Sequence, residues 1–264
     1  RSGIRALMDL AWAQPGPVIR LEVGQPDRIP PEHIRQAMAD SVMAGETVDI
    51  PNPVIRALRE VGAAKLRHVN GIDVEPSQVL ISAGSMQGLS VSILGLTTAG
   101  DEILVPDPGW PNYAMAARIA RATPVAYPLR SESGYLPDPE TIEPLITDRT
   151  RILLVNSPSN PLGTVVDQDR LAALCELAER HDLWLLSDEC YDQIVFEGEV
   201  APSPAPIAPD RVLSVHSFSK TYAMTGLRVA YVSGPLAVIE TLTKMQEALI
   251  ACVNGPAQKA ALAA

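Results

Sequence analysis

The sequence is short of positive charge and has no run of basic residues. Its 21 lysines and arginines are outnumbered by 31 aspartates and glutamates, which gives a formal net charge of −10. Nucleic acids and anionic membranes attract basic surfaces, so neither is expected as a partner. No apolar stretch approaches the ~20 residues that a membrane-spanning helix needs, and the opening residues do not resemble a signal peptide. We therefore expect no membrane contact and a cytoplasmic location.

Cysteine is also scarce. The three cysteines, Cys175, Cys190 and Cys252, are far apart in the chain and lack the paired spacing that is typical of metal ligands. Isolated thiols of this kind are normally kept reduced in a cytosolic protein. The sequence therefore predicts free thiols and no metal site.

Lysine is the rarest charged residue, with four copies against seventeen arginines. Three of them lie in helix-like patterns: Lys65, Lys244 and Lys259. The fourth, Lys220, lies between Ser219 and a threonine, just after residues 211–216, which alternate like a buried strand. Its neighbours Ser217 and Ser219, together with Arg228, suit an amine that forms a Schiff base beside a phosphate. Taken alone, a Ser-x-Ser-Lys pattern is more often a solvated loop, so the rest of the chain must decide.

The chain is long enough for one large α/β domain, since 47% of its 264 residues are hydrophobic. Strand-like patterns cover residues 18–23, 79–82, 101–105, 151–155, 183–187, 211–216 and 226–234. Helix-like patterns cover residues 4–13, 31–43, 167–181, 235–252 and 255–264.

Two loops that follow strands have the features of a binding site. Gly84 and Ser85 join a strand to a helix, where unpaired N–H groups and the helix dipole attract anions. Trp110 lies in a loop stiffened by prolines, and a stiff aromatic side chain suits stacking on a flat ring. Strand–glycine–helix joints are common and a loop tryptophan can simply cover core, so each feature alone is weak.

A carboxylate follows the strand at 183–187. Asp188 comes directly after five mostly apolar residues, and α/β sheets bind their ligands at the carboxyl ends of strands. Helix capping is the structural alternative, but no convincing helix pattern follows directly. Asp188 is therefore a candidate functional carboxylate.

The stretch 217–228 resembles the lysine motif of the class I and II aminotransferases, which are pyridoxal-phosphate (PLP) enzymes of fold type I. Residues 156–164, Asn-Ser-Pro-Ser-Asn-Pro-Leu-Gly-Thr, match a second and highly specific pattern of that family. The resemblance runs from Ile4 to about Ala261. It implies an α/β fold, the large domain of a fold type I PLP-dependent transferase, with about seven mostly parallel strands and helices on both faces.

The resemblance also implies a role for each matching residue. Lys220, Asp188 and Tyr191 are the expected catalytic residues: Lys220 carries PLP, Asp188 pairs with the pyridinium nitrogen and Tyr191 hydrogen-bonds the 3-oxygen. The implied cofactor-binding set is Ser85, Met86, Trp110, Asn160, Asp188, Tyr191, Ser217, Ser219, Lys220 and Arg228. Gly24 and Asn160 are the implied substrate-binding residues, with Gly24 leaving room for the substrate carboxylate.

The domain organisation follows from the same resemblance. Residues 1–29 are expected to form a segment at the mouth of the active site, and residues 30–264 the PLP-binding large domain. The family continues into a small C-terminal domain, whose arginine binds the substrate carboxylate and which is not part of this chain. The chain by itself is therefore expected to bind PLP and to transaminate poorly.

One region departs from the family. Where relatives have a tyrosine that reaches the partner's cofactor phosphate across a dimer interface, this chain has Asp49, and Val54 replaces a glycine. A homodimer is expected from the resemblance, but an aspartate would repel a phosphate, so Asp49 either points elsewhere or belongs to a rebuilt site.

The expected function is a PLP-dependent aminotransferase that moves an amino group from an amino acid to a 2-oxo acid. Two alternatives stay open: a PLP-dependent lyase or cyclase on the same scaffold, or a non-catalytic PLP-binding regulatory module.

Overall fold

The computed structural model describes residues 3–48, 56–198 and 200–264; Asp49 and Val54 lie outside these ranges. The strands are β1 Val79–Ser82, β2 Glu102–Asp107, β3 Thr123–Pro128, β4 Thr150–Asn156, β5 Trp184–Asp188, β6 Val212–Ser217 and β7 Ala230–Ser233. The helices are α1 Gly3–Trp12, α2 Glu32–Met43, α3 Arg56–Asn70, α4 Ser85–Leu96, α5 Asn112–Ile119, α6 Pro139–Ile142, α7 Gln168–Arg180, α8 Phe218–Thr221, α9 Leu236–Ile250 and α10 Gly255–Ala263.

The seven strands form one sheet in the order β1-β7-β6-β5-β4-β2-β3. Only β7 runs against its neighbours, since it pairs antiparallel with both β1 and β6, while the other pairs are parallel. Helices cover both faces, which allows the central strands to be apolar along nearly their whole length. The predicted fold class, α/β with about seven mostly parallel strands, is confirmed.

Each face of the sheet buries its own hydrophobic cluster. On one face, side chains of α3 and α7 pack against the sheet, as Leu66 and Leu174 do, and residues of α10 join the same cluster. On the other face, α4, α5 and α9 pack against it, as Leu89 and Leu242 do. Parallel sheets of this kind are stable because both faces are removed from water.

One strand prediction is wrong and another is wrong in part. Residues 18–23 alternate in hydrophobicity but form no strand, and Ile19 and Leu21 are 90% and 89% exposed, because the segment lies on no sheet edge. The strand predicted at 226–234 begins only at Ala230, because Arg228 has a φ of 57°, outside the range of a strand.

The sequence pattern did not predict β3. This strand contains two prolines, which remove backbone donors, and it lies at the edge of the sheet where only one side needs pairing. None of the helices in the described part of the chain is long and apolar enough to cross a membrane.

The topology brings distant loops together. Strands β1, β2, β4, β5 and β6 run in the same direction, so their carboxyl ends lie along one edge of the sheet. The strand ends, loops and helix starts at this edge contain Ser85, Trp110, Asn160, Asp188 and Lys220. Ligands bind at this edge in open α/β sheets.

Helix α4 packs closely on the sheet through Gly88, which yields a first prediction. A Cβ atom at Gly88 would lie 2.8 Å from Cγ2 of Val232, whereas one at Gly62 of α3 would meet only Cγ1 of Val79, at 3.8 Å. Gly88→Ala should therefore lower the free energy of unfolding by about 1–3 kcal/mol through overpacking. Gly62→Ala should instead raise it by about 0.5–1 kcal/mol, because alanine loses less entropy in a helix.

Denaturant unfolding of both variants measures these changes. Equal shifts in the same direction would contradict the packing of α4 described above.

Candidate active site

One cavity of about 510 Å³ lies at the carboxyl edge of the sheet. All of the predicted catalytic, cofactor-binding and substrate-binding residues line it: Gly24, Ser85, Met86, Trp110, Asn160, Asp188, Tyr191, Ser217, Ser219, Lys220 and Arg228. A cavity of this size is typical of small-molecule and cofactor sites.

Lys220 is presented by a tight junction between β6 and α8. Ser217 ends β6 and caps α8, since its hydroxyl accepts a hydrogen bond from the backbone N–H of Ser219 at 3.1 Å. The Lys220 amine donates a hydrogen bond to the carbonyl oxygen of Gly24. Burial lowers the pKa of Lys220, and the nearby positive charge of Arg228 lowers it further, although Cys190 acts in the opposite direction. This amine is more readily deprotonated than that of an ordinary lysine, as a nucleophile requires.

Arg228 and the start of α4 form a cradle for an anion. Gly84, which precedes α4, has a φ of 78°, and a Cβ atom there would lie only 2.0 Å from Nη2 of Arg228. Glycine is therefore required for the guanidinium to lie against the helix start. The first-turn N–H groups of Ser85 and Met86 have no acceptors within the helix. No carboxylate of the described residues pairs with Arg228, whose Nη1 donates to the carbonyl of Thr225 at 2.8 Å.

Asp188 is the last residue of β5 and is only 3% exposed. One carboxylate oxygen accepts the Tyr113 hydroxyl at 2.7 Å, and the other accepts the backbone N–H of Cys190 at 3.2 Å. Burial raises the pKa of Asp188, while these hydrogen bonds lower it in part. Burial likewise raises the pKa of Tyr113, so that its hydroxyl remains a donor. A cationic group of a ligand would relieve the cost of keeping this carboxylate charged.

Asn156 holds the neighbouring loop in place. It ends β4 opposite Asp188, and its amide donates to the backbone carbonyl of Asp188 at 3.0 Å. Its side-chain oxygen accepts the backbone N–H of Asn160 at 2.7 Å. The Asn160 amide then donates to the hydroxyl of Tyr191 at 3.4 Å, and burial raises the pKa of Tyr191 to about 12. Two polar side chains thus reach the cavity from adjacent strand ends.

Trp110 lies half-buried in the wall of the cavity. Its ring meets that of Tyr113 edge to face, with centroids 5.4 Å apart and planes at 85°. Such pairs are favourable and restrict the orientation of both rings. The stiff loop and the tyrosine together fix the indole beside the buried carboxylate.

The irregular segment between α1 and α2 covers the mouth of the cavity. Glu22, Val23, Gly24 and Gln25 line the cavity from this segment. Two contacts attach this segment to the turn that carries Lys220, called the lysine turn below. One is the hydrogen bond from Lys220 to the carbonyl of Gly24, and in the other Nη2 of Arg28 donates to the carbonyl of Thr221 at 3.1 Å.

Among the residues that sequence reasoning did not assign to this site, three stand out. Tyr113 contacts Asp188, Asn156 orders two loops, and Cys190 lines the cavity. Tyr113 follows Trp110 by three residues at the start of α5, a helical spacing that could have indicated a shared face. Asn156 ends a buried strand, where an amide is unusual.

The fold and the cavity define an α/β protein whose site combines an accessible amine, a buried carboxylate and an anion cradle. A family model described as "Aminotransferase class I and II" matches residues 16–264. The chain therefore belongs to the class I and II aminotransferase family.

Individual relatives agree with this assignment. The chain is 39% identical over 225 residues to a probable aspartate/prephenate aminotransferase of Thermus aquaticus, covering 85% of this chain and 58% of that protein. It is 36% identical over 264 residues to an aspartate aminotransferase of Pyrococcus horikoshii, covering 100% of this chain and 67% of that protein. The chain thus spans roughly three fifths to two thirds of the length of these relatives.

The solved structure of the Thermus thermophilus aspartate aminotransferase with maleate superposes with a TM-score of 0.94 at 35% identity. The match covers 98% of this chain and 68% of that chain. Sequence and fold comparisons therefore point to the same family over almost the whole of this chain.

The lowered pKa of Lys220 leads to a second prediction. Reductive methylation with ¹³C-formaldehyde labels the four lysine side chains, and the resonance that disappears in Lys220→Arg identifies Lys220. Because burial disfavours the charged amine, this resonance should titrate at a lower pH than the ordinary lysine value of about 10.4. Titration at or above that value would contradict the described burial of the amine.

Proposed function

We propose that the chain binds pyridoxal 5′-phosphate at this cavity and, in the whole protein, transfers an amino group from an amino acid to a 2-oxo acid. The observation that supports this most strongly is the placement of Lys220 and the buried Asp188 around one cavity that also contains an anion cradle. The names of the relatives, aspartate and aspartate/prephenate aminotransferases, support the same reaction class.

The cradle suits the phosphate of the cofactor. Arg228 supplies a positive charge with no carboxylate partner among the described residues, and the start of α4 supplies N–H groups of Ser85 and Met86. The hydroxyls of Ser217 and Ser219 line the same cavity. Charge-assisted hydrogen bonds of this kind are the strong ones in phosphate recognition.

The middle of the cavity suits the pyridine ring. Trp110 would stack on the ring, and Asp188 would pair with the protonated ring nitrogen, which compensates the buried carboxylate. Asn160 and Tyr191, already hydrogen-bonded to each other, would donate to the ring's 3-oxygen. Tyr113 would keep Asp188 oriented through its 2.7 Å hydrogen bond.

When bound, PLP supplies an electron sink for the bonds of the substrate α-carbon. Lys220 would carry the cofactor covalently through its amine, and an incoming amino group would release that amine. The free Lys220 amine would then move the α-proton: its Nζ atom would accept the proton as a base and donate it as an acid. A Cβ atom placed at Gly24 would have no other atom within 4 Å, so there is space for a substrate carboxylate beside the lysine.

We infer the domain organisation from the same arrangement. Residues 30–264 are the PLP-binding large domain, and residues 1–29 are the segment at its mouth, which is supported by the contacts of Gly24 and Arg28 with the lysine turn.

We further propose a cytoplasmic homodimer, in keeping with the family resemblance, the acidic composition and the exposed apolar side chains of α1, including Leu7, Leu10 and Trp12. Sedimentation equilibrium and cell fractionation test these two points; a monomer or a membrane fraction would contradict them.

A single-turnover experiment tests the proposed reaction. PLP-loaded chain is mixed with a panel of amino acids, and we expect at most one oxo acid per chain, with the amino group retained on the cofactor. A single turnover is chosen because a slow transfer is then still detected. Lys220→Ala is the matched control and should release no oxo acid, because it lacks the base that moves the proton.

The alternatives predict different products. Pyruvate with free ammonia from a suitable amino acid would indicate elimination instead of amino transfer. Bound PLP with no product from any amino acid, both in this chain and in a chain of the length of its relatives, would indicate a binding module and would contradict the proposed function.

A further inference from the structure

A cluster of buried charged and polar residues lies next to the active site, and none of its members has a role in the proposed chemistry. Its centre is Asp192, one residue after Tyr191 and only 3% exposed. The carboxylate is paired with the amine of Lys65 in α3 and accepts the amide of Asn70 at 2.9 Å. Lys65 also donates to the side-chain oxygen of Asn70 at 2.7 Å. The turn after β5 is thereby attached to the end of α3.

The same carboxylate reaches the strand that leads to Lys220. His216, four residues before Lys220 and 1% exposed, has Nδ1 3.5 Å from Oδ2 of Asp192 and Nε2 3.8 Å from Oε2 of Glu189. Both distances are longer than hydrogen bonds, and each contact is an ion pair only when the imidazole is protonated. The imidazole stacks on Tyr231 of β7, with centroids 5.2 Å apart, which fixes its position.

The electrostatics of Asp192 show that these contacts favour its charged form. Burial alone would raise the pKa of Asp192, but His216 and then Lys65 lower it well below its usual value. Burial instead raises the pKa of Glu189, whose Oε1 accepts the Ser203 hydroxyl at 2.9 Å. Within this cluster, Asp192 is therefore the carboxylate that holds its charge.

The location of the cluster matters because the pairing between β5 and β6 stops there. The register of β5 with β6 ends at Asp188 opposite Val215, and the backbone N–H of Glu189 still donates to the carbonyl of Val215 at 2.8 Å. Beyond this point the turn with Tyr191 leaves the sheet, while β6 stays paired with β7 up to Ser217, where the turn with Lys220 begins. The contact of Asp192 with His216 continues the connection between them through side chains.

We propose that Asp192 is a positioning residue that locks the turn carrying Asp188 and Tyr191 to the turn carrying Lys220, with Lys65, Asn70 and His216 as its partners. Two turns from different strands must present their groups to the same ligand, and small errors in such placement reduce binding and rate strongly. The lock itself follows from the contacts of this chain, and only its effect on cofactor binding rests on the proposed function.

Hydrogen–deuterium exchange on the cofactor-free chain tests the lock directly. Asp192→Asn keeps the size of the side chain and removes its charge, so exchange should increase about tenfold in residues 188–194 and also in residues 217–224, as expected for local opening. Loosening of residues 188–194 alone, or of neither turn, would overturn the proposal.

Glu102→Gln is the matched control. Glu102 is also buried, at 6% exposure, and pairs with Arg149 at 2.6 Å, but it begins β2 and so lies at the amino ends of the parallel strands. The control should leave exchange in both turns within about twofold of the parent, since it opens no local contact there. If the control loosens both turns as strongly, the effect is general destabilisation and the proposal fails.

A second variant covers the case in which Asp192→Asn does not fold. His216→Phe keeps the ring stack on Tyr231 and leaves Asp192 paired with Lys65 and Asn70. It should loosen residues 217–224 in the same exchange experiment. Unchanged exchange in that turn would overturn the proposal as well.

Cofactor titration gives a second and separate readout. Followed by visible absorbance, Asp192→Asn should weaken PLP binding by about tenfold, as expected when a binding group is displaced, while Glu102→Gln stays within about twofold of the parent. Binding by Asp192→Asn that equals the parent would overturn the positioning role. If the parent itself binds no PLP, the proposed function fails, and the exchange measurement still decides the lock.

Discussion

The site depends on the burial of one carboxylate. Asp188 lies at the end of a central strand with almost no contact with water, and each unit by which its pKa rises corresponds to about 1.4 kcal/mol against the charged form. Tyr113 and the backbone of Cys190 offset part of this free energy. The remainder makes the cavity selective for a ligand that brings a positive charge to Asp188.

The rest of the cavity is arranged around that carboxylate. Asn156 bonds the backbone of Asp188 and orders Asn160, so two adjacent strand ends are fixed together. Lys220 is presented to the same cavity by α8, and Arg228 lies against the glycine before α4. Positive and negative groups thus line one cavity. Neither Lys220 nor Arg228 forms an ion pair with a carboxylate among the described residues.

Much of this could be predicted from the sequence because the key residues directly follow strong strand patterns. Lys220 and Asp188 come just after runs of buried residues, so their place at the sheet edge follows from topology. Residues 18–23 misled because alternation indicates a strand only if a partner strand is present, and the sequence does not show partners. Tyr113 and Asp192 were not predicted because their importance lies in contacts between distant parts of the chain. Tyr113 contacts Asp188, 75 positions away, and Asp192 contacts Lys65, 127 positions away.

The central claim is that Lys220 carries the cofactor. Borohydride reduction of the PLP-loaded chain followed by peptide mapping tests it most directly, because the chain offers only three other lysines as alternatives. We expect the label on Lys220 alone, since it is the lysine that lines the cavity. A label on Lys65, Lys244 or Lys259, or no stable label at all, would contradict the account.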